Sequence, residues 1–468
     1  MAGKEWGLAM TSRDLGDVGP RGEGELGAKG GPGANGGLGG NGAPRPGRPV
    51  DLSVECGGIR SPNPFWLASG PPTNTAGQVM RAFDAGWGGA VWKTLGDPIT
   101  NTASRYGAID YQGRNVAGFN NIELITDRPL EVNLREIAEV KRRYPGHALV
   151  ASLMVETRDD WRDIIKRTED TGCDGFELNF GCPHGMCERG MGSAVGQEPR
   201  LLEEITGWAR EFSSVPVLVK LTPNITDILD PAMAAQRGGA SGVSLINTIK
   251  SVIAIDHDTF SPIPSVAGQG TSGGYCGPAV KPIALHMVTR LGKAEEFRIP
   301  VSAIGGIHTW EDALDFLLTG ASSLQVCTAA MHYGFRIVQE MTRGLEEWMR
   351  EKGYARIEEF RGRALPNYEE WGDLDLNYRI VAEIDPVLCI GCQLCYAACE
   401  DGAHQAIALQ RGTRVPRILE AECVGCNLCQ IVCPVEGCIT MVRVEDGSRP
   451  ESWNDRVARG TAGAGGKH

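Results

Sequence analysis

Between residues 65 and 329, short apolar runs of strand type alternate with stretches whose apolar residues recur at helical spacing. Eight runs stand out, at 65–69, 90–94, 149–155, 175–180, 216–221, 242–247, 300–304 and 323–327. Helical stretches intervene, for example at 133–143, 159–170, 199–212, 281–291 and 310–318. Repetition of a buried strand and an amphipathic helix predicts parallel strands joined by helices. The 265 residues they occupy match the roughly 250 of a (β/α)8 TIM barrel, so the expected fold class is α/β. A doubly wound open sheet is the alternative, and the two differ in where ligand groups collect. An open sheet gathers them at one switch point, whereas a barrel gathers them where its strands end. Here the strand ends carry Ser69, Lys93 with Thr94, Asn179 with Cys182, Lys220, Asn247 with Thr248, Gly305 with Gly306, and Cys327 with Thr328. That distribution favours the barrel.

The flanks break the pattern. The first 50 residues hold 16 of the 63 glycines, one at every third position from Gly24 to Gly42. Collagen needs far more proline than Pro20, Pro32 and Pro44 supply, so 1–50 is expected to be a disordered glycine-rich tail. The stretch 446–468 reads the same way. A barrel over 51–350, a connector over 351–380 and a cysteine-rich module over 381–445 complete the expected organisation. Composition is that of a globular protein, 42% hydrophobic and 22% charged. The formal net charge of −12 gives no electrostatic grip on nucleic acid or an anionic membrane. No apolar stretch reaches membrane-spanning length, and MAGKEWGLAM lacks the apolar core of an export signal, so a cytoplasmic protein is expected.

Eight of the 15 cysteines fall between Cys389 and Cys433. Cys389, Cys392, Cys395 and Cys399 follow the spacing C-x2-C-x2-C-x3-C, which returns at Cys423, Cys426, Cys429 and Cys433. Two such runs bind two 4Fe-4S clusters, the fourth cysteine of each run ligating the other cluster. The expected sets are Cys389, Cys392, Cys395 and Cys433 for one, and Cys423, Cys426, Cys429 and Cys399 for its twin. Structural zinc uses paired C-x2-C knuckles and has no need of a third cysteine so placed. Pro434 follows the second run, but Glu400 stands at the matching position of the first. Cys438 lies outside the pattern and reads as an ordinary buried thiol.

The segment ELNFGCPHGMCERGMGSAVGQ, 177–197, leaves a strand end and enters a glycine-rich loop holding an amide and a thiol. Taken with ASGPP at 68–72, VWKTLG at 91–96, NNIELIT at 120–126, VKLTPNITDI at 219–228, INT at 246–248, AIGGI at 303–307 and LQVCTA at 324–329, it resembles the dihydropyrimidine dehydrogenase family. The likeness is greatest to the bacterial NAD-dependent type, whose catalytic subunit is a separate chain. It covers about 51–443, including the order of barrel and small α+β ferredoxin-like domain. Related dihydroorotate dehydrogenases share the flavin barrel but usually lack the attached module.

The resemblance implies FMN across the strand ends. Its phosphate would meet backbone amides at Gly277, Ile304, Gly305, Gly306 and the Cys327–Thr328 turn, matching the usual phosphate site of such barrels. Ser69 and Thr94 would hydrogen-bond the flavin, and Lys93 and Lys220 would place positive charge near it, which favours an anionic reduced ring. Asn121, Asn179, Asn247 and Thr248, with Phe180 and Gly181 alongside, would recognise the pyrimidine. An amide matches the alternating N–H and C=O edge of uracil. Cys182 is the expected general acid, giving a proton to C5 while hydride reaches C6. An ordinary thiol pKa of about 8.5 keeps it protonated at neutral pH. Gly181 departs from the serine of the animal enzymes, which puts any hydroxyl contact there in doubt. His184 could pair with Cys182, although a polar loop role fits it better, and the glycines at 185, 190, 192 and 196 suit a closing lid.

Two matches to G-x-G-x-x-G, at Gly37, Gly39 and Gly42 and at Gly268, Gly270 and Gly273, are not expected to bind a dinucleotide, because neither opens a βαβ unit. The resemblance implies that NADH is instead oxidised by a partner flavoprotein carrying FAD, in a hetero-oligomer, its electrons passing through the clusters to FMN. The expected activity is reduction of uracil and thymine in pyrimidine catabolism. Dihydroorotate oxidation and a non-catalytic electron carrier are the alternatives.

Overall fold

The computed structural model describes residues 49–100, 105–111, 114–183, 190–374 and 378–444. The glycine-rich tail up to residue 48, the C-terminal tail from 445, His184, Gly185 and the first G-x-G-x-x-G match lie outside these residues.

Eight parallel strands close into a barrel in chain order: β1 (Phe65–Leu67), β2 (Gly89–Leu95), β3 (Ala148–Leu153), β4 (Gly175–Asn179), β5 (Val217–Lys220), β6 (Gly242–Leu245), β7 (Val301–Ile304) and β8 (Ser323–Val326). Each run read from the sequence holds one of them, within a residue or two at either end. Helices α1 (Ala76–Ala85), α2 (Leu130–Arg143), α3 (Arg158–Glu169), α4 (Pro199–Phe212), α5 (Leu229–Arg237), α6 (Lys281–Lys293), α7 (Trp310–Leu318) and α8 (Ile337–Lys352) follow the strands one by one. In α4, Leu202, Ile205, Thr206, Ala209 and Phe212 form the buried stripe, the spacing of a helix lying on a sheet. Thr157 and Thr309 begin α3 and α7 with reciprocal caps to Asp160 and Asp312.

Strand alternation sorts the side chains. Trp66, Val91, Ala148, Val150 and Leu218 pack together with Cys56 and Ile59 of the hairpin Val54–Cys56/Ile59–Ser61, while Trp92, Phe176, Leu178, Val217 and Val219 belong to the larger core that includes the helices. One irregularity matters for the site. β2 and β3 lose register between Trp92 and Leu95, so Lys93 and Thr94 both reach the cavity, which strict alternation would forbid.

The loops after β2 and β6 contribute a four-stranded antiparallel sheet that the apolar pattern did not foretell. It pairs Ile249–Ser251 with Gly273–Cys276, which pairs with Arg114–Asn121 and then Tyr106–Tyr111. The second G-x-G-x-x-G match falls in this excursion, on antiparallel ribbon rather than a βαβ turn.

Beyond α8, short 3-10 turns lead to the cysteine module. Its strands Ile380–Ile384 and Ile439–Arg443 pair antiparallel, as do Ile407–Ala408 and Arg417–Ile418. Helices Leu394–Gly402 and Leu428–Ile431 each start after a residue in the left-handed region, Gln393 (φ 65°) and Asn427 (φ 57°). The internal repeat is thus present in the backbone as well as in the cysteines. Among the described residues, no helix is long and apolar enough to cross a membrane.

Candidate active site and cluster sites

The carboxyl ends of the barrel strands open into a cavity of about 1100 Å3, including its mouth. Ser69, Lys93, Thr94, Asn121, Asn179, Cys182, Lys220, Asn247, Thr248, Gly277, Ile304, Gly305, Gly306, Cys327 and Thr328 all line it. Residues from 69 to 328 are therefore brought to one place.

Of the proposed site residues on the barrel, Phe180 and Gly181 do not line the cavity. Phe180 follows the inward-facing Asn179, so its side chain turns outward into the core, edge-on to Trp161 at 6.2 Å. Phe180 was expected alongside the pyrimidine, and its side chain lies in the core instead. Gly181 packs against the site from behind. A Cβ there would lie 2.4 Å from the Asn247 side chain, so a serine has no room while Asn247 keeps its place.

The cavity amides are oriented by one another. Asn247 Nδ2 donates to Asn179 Oδ1 (3.0 Å), and Asn179 Nδ2 donates to Thr94 Oγ1 (3.0 Å). Thr94 shares hydrogen bonds with Ser152 (2.9 Å) and Ser69 (3.2 Å). Asn247 Oδ1 accepts the Thr248 N–H at 2.8 Å. Asn121, on the excursion sheet, donates to Gly274 O at 3.0 Å. Each amide still has a proton or lone pair for a ligand, held in a fixed direction.

Both lysines are buried and ion-paired. Lys93 Nζ bonds Glu123 Oε1, and Tyr106 donates its hydroxyl to Glu123 Oε2. Burial and that carboxylate push the Tyr106 pKa up to about 12, so it stays a neutral donor. Lys220 Nζ lies 3.5 Å from Glu177 Oε1, and Glu177 is fully buried. Glu123, Tyr106, Glu177 and Gln325 were missed from sequence. Glu123 stands within the quoted NNIELIT and Glu177 within ELNFGCP; an acid embedded in apolar neighbours was the available signal.

Cys182 is buried among Ile125, Met154 and Met191, with its loop pressed by Gly192, whose added Cβ would sit 2.9 Å from Cys182 O. Two other cavity thiols, Cys276 and Cys327, are held neutral by burial, which pushes them up to about 11 and about 12.

The cavity fits FMN on its own evidence. Gly305 (φ +135°) and Gly306 (φ +72°) have left-handed backbone, and a Cβ on either would lie 2.6 Å from Ala284 or Lys281. Such a stretch presents successive N–H groups to an anion. His308 Nδ1 donates to Gly306 O at 3.1 Å, leaving Nε2 buried and without a hydrogen-bond partner, and Gln325 Oε1 is equally unmatched. Both residues line the cavity. Buried polar atoms left open there are accounted for by a polar ligand.

In the small module, Cys399, Cys423, Cys426 and Cys429 surround one cavity, and Cys389, Cys392, Cys395 and Cys433 surround another. These are the two crossed sets that the spacing predicts. Each cavity gathers the four thiols of one set, the all-cysteine ligation that holds a 4Fe-4S cluster. Backbone N–H groups of Ala406 and Ala382 donate to Cys399 Sγ (3.3 Å) and Cys423 Sγ (3.5 Å), contacts that tune a cluster. Cys438, read from sequence as an ordinary buried thiol, is buried but also lines the Cys389 cavity.

A family profile described as dihydroorotate dehydrogenase matches residues 51–349, and one described as a 4Fe-4S dicluster domain matches 382–441. The chain belongs to the dihydroorotate dehydrogenase family, with a 4Fe-4S dicluster domain appended. Within that class it is 42% identical over 397 residues to the NAD-dependent dihydropyrimidine dehydrogenase subunit PreA of Escherichia coli (strain K12), covering 84% of this chain and 96% of that one. It is 43% identical over 337 residues to the chloroplastic dihydropyrimidine dehydrogenase (NADP(+)) of Arabidopsis thaliana, covering 69% and 79%. The catalytic subunit of dihydroorotate dehydrogenase B (NAD(+)) from Pyrococcus horikoshii is 38% identical over 321 residues, covering 67% and 98%.

Proposed function

We propose that this chain is the catalytic subunit of an NAD-dependent dihydropyrimidine dehydrogenase that reduces uracil and thymine to their 5,6-dihydro forms. The observation that carries this reading is the convergence of Asn121, Asn179, Asn247 and Thr248 with the thiol of Cys182 in one buried cavity. The relatives named for dihydropyrimidine dehydrogenation, at 42% and 43% identity, support it.

Ser69, Thr94, Lys93 and Lys220 would hold the FMN ring, and Gly277, Ile304, Gly305, Gly306, Cys327 and Thr328 its ribityl phosphate. Bound there, FMN would supply the hydride equivalent for C6 of the pyrimidine. The mutually bonded amides of Asn179 and Asn247 hold the ring's N–H and C=O edge in register. Cys182 then delivers its proton to C5 from a water-poor pocket, and in the reverse direction its thiolate removes that proton.

With its clusters bound, the 4Fe-4S module would supply electrons to the barrel, drawn from a separate FAD flavoprotein that oxidises NADH. A partner subunit is in keeping with the subunit organisation named in the bacterial relative. Dihydroorotate is disfavoured as substrate because its carboxylate wants a free cation. Among the described cavity residues the lysines are Lys93 and Lys220, and each already faces a carboxylate. Assaying uracil, thymine and dihydroorotate side by side with the reconstituted complex tests the assignment. Turnover of the two pyrimidines with little or none of dihydroorotate is expected, and the opposite preference would overturn it.

A further inference from the structure

One charge in the barrel interior has no part in holding the substrate. Glu177 is fully buried and does not line the cavity, whereas Lys220, its ion-pair partner, does. Its Oε2 accepts from Gln325 Nε2 at 2.9 Å, and that amide nitrogen is itself 3.2 Å from Ser244 Oγ and 3.1 Å from Ser302 Oγ. Its Oε1 has no hydrogen-bond partner and faces Lys220 Nζ at 3.5 Å. Strands β4, β6, β7 and β8 thus join to hold one carboxylate against one ammonium.

Burying a carboxylate is costly unless it is paired, and an apolar residue of similar volume would be as stable or more so. The barrel uses apolar residues at neighbouring inward positions, such as Val150 and Leu218. Stability alone does not call for glutamate at 177. Lys93 differs, because its partner Glu123 itself lines the cavity and is shared with Tyr106. Glu177 reaches the cavity through Lys220, the one cation it faces, and through the neutral amide of Gln325.

We propose that Glu177 is a positioning residue that acts through Lys220 to limit the positive charge offered to the bound flavin, and so holds its reduction potential down. The proposal rests on the FMN reading above. A cation beside the ring favours the anionic reduced form, and a carboxylate locked behind that cation offsets part of the effect.

The test uses the full chain purified anaerobically with FMN and clusters, with flavin reduction equilibrated against redox dyes and the clusters followed separately by their spins. Glu177→Gln is expected to raise the equilibrium constant for two-electron flavin reduction at least tenfold, about 30 mV upward. Lys220→Gln is expected to lower it. On the Lys220→Gln background, Glu177→Gln should change it less than about threefold, since the cation through which Glu177 acts is gone. Glu177→Asp keeps the charge but shortens its reach, so it should shift in the same direction as Glu177→Gln by less. It supplies the reading if Glu177→Gln fails to retain FMN. An unshifted potential in the FMN-loaded variant, or equal shifts on both backgrounds, overturns the proposal. Absence of FMN from the wild-type chain would instead remove the reading beneath it.

Discussion

The two cofactor regions are specified in opposite ways. In the cysteine module each cavity gathers three cysteines from a seven-residue stretch and a fourth from the other run. At the barrel mouth, adjacent site residues such as Asn179 and Asn247 lie 68 positions apart and meet only because strands close into a ring. A local pattern can thus be read almost by counting, whereas the barrel site exists only through its fold.

Breaking the local pattern should have the largest effect. Cys399 lies in the first run but belongs with the second set, so Cys399→Ser should take iron from about eight to about four per chain and abolish NADH-supported turnover. Iron analysis and cluster spectroscopy read the outcome; full retention of both clusters would refute crossed ligation. At the barrel mouth, Cys182→Ala should leave FMN and iron bound while pyrimidine turnover falls by about 10²- to 10⁴-fold, the usual worth of a positioned acid. Unchanged turnover would refute the acid role. A smaller effect is expected from Gly181→Ser, which forces Asn247 aside: KM for uracil should rise by about tenfold, the cost of about 1.4 kcal/mol of binding, with kcat changed less. An unaltered KM would mean that Asn247 does not set the substrate edge.

The smallest effect belongs to the scaffold, away from both cofactor regions. Glu136 receives two charged bonds from Arg128 and one from the Ala76 N–H at the start of α1. The Arg128 guanidinium holds its carboxyl below the ordinary value of 4.5. A depressed carboxyl contributes stability above that ordinary value and loses it as pH falls through the depressed one. Glu136→Gln should therefore cost about 1–2 kcal/mol at pH 7 in denaturant unfolding, and the gap to wild type should close as pH falls below about 4. A gap independent of pH would refute the charge-based account.

The physical reasons for what could be read follow the same contrast. The barrel strands were legible because strands buried on both faces read as unbroken apolar runs. Phe180 was misplaced because a run gives no facing, and one step beyond Asn179 reverses the side chain. Lys93 and Thr94 were both placed correctly from their strand-end position, yet what lets two neighbours face one cavity is the register break in β2, invisible in the residues themselves. The excursion sheet was missed because its two longer strands, YGAIDY at 106–111 and RNVAGFNN at 114–121, interrupt their apolar residues with glycine and polar ones, and Tyr106 and the neighbouring Glu123 went with it. Glu177 escaped notice because its partner Gln325 lies 148 residues further on. Only barrel closure brings the two together.

The central claim is that the clusters feed a flavin seated over the thiol-bearing barrel mouth. Its most direct test is an anaerobic titration of the full chain with NADH, following flavin absorbance with and without the NADH-oxidising flavoprotein, then adding uracil. The account predicts bleaching only when the flavoprotein is present and return of colour on adding uracil. A chain that shows no flavin absorbance after anaerobic reconstitution, or a bleached flavin that uracil does not reoxidise, would contradict it.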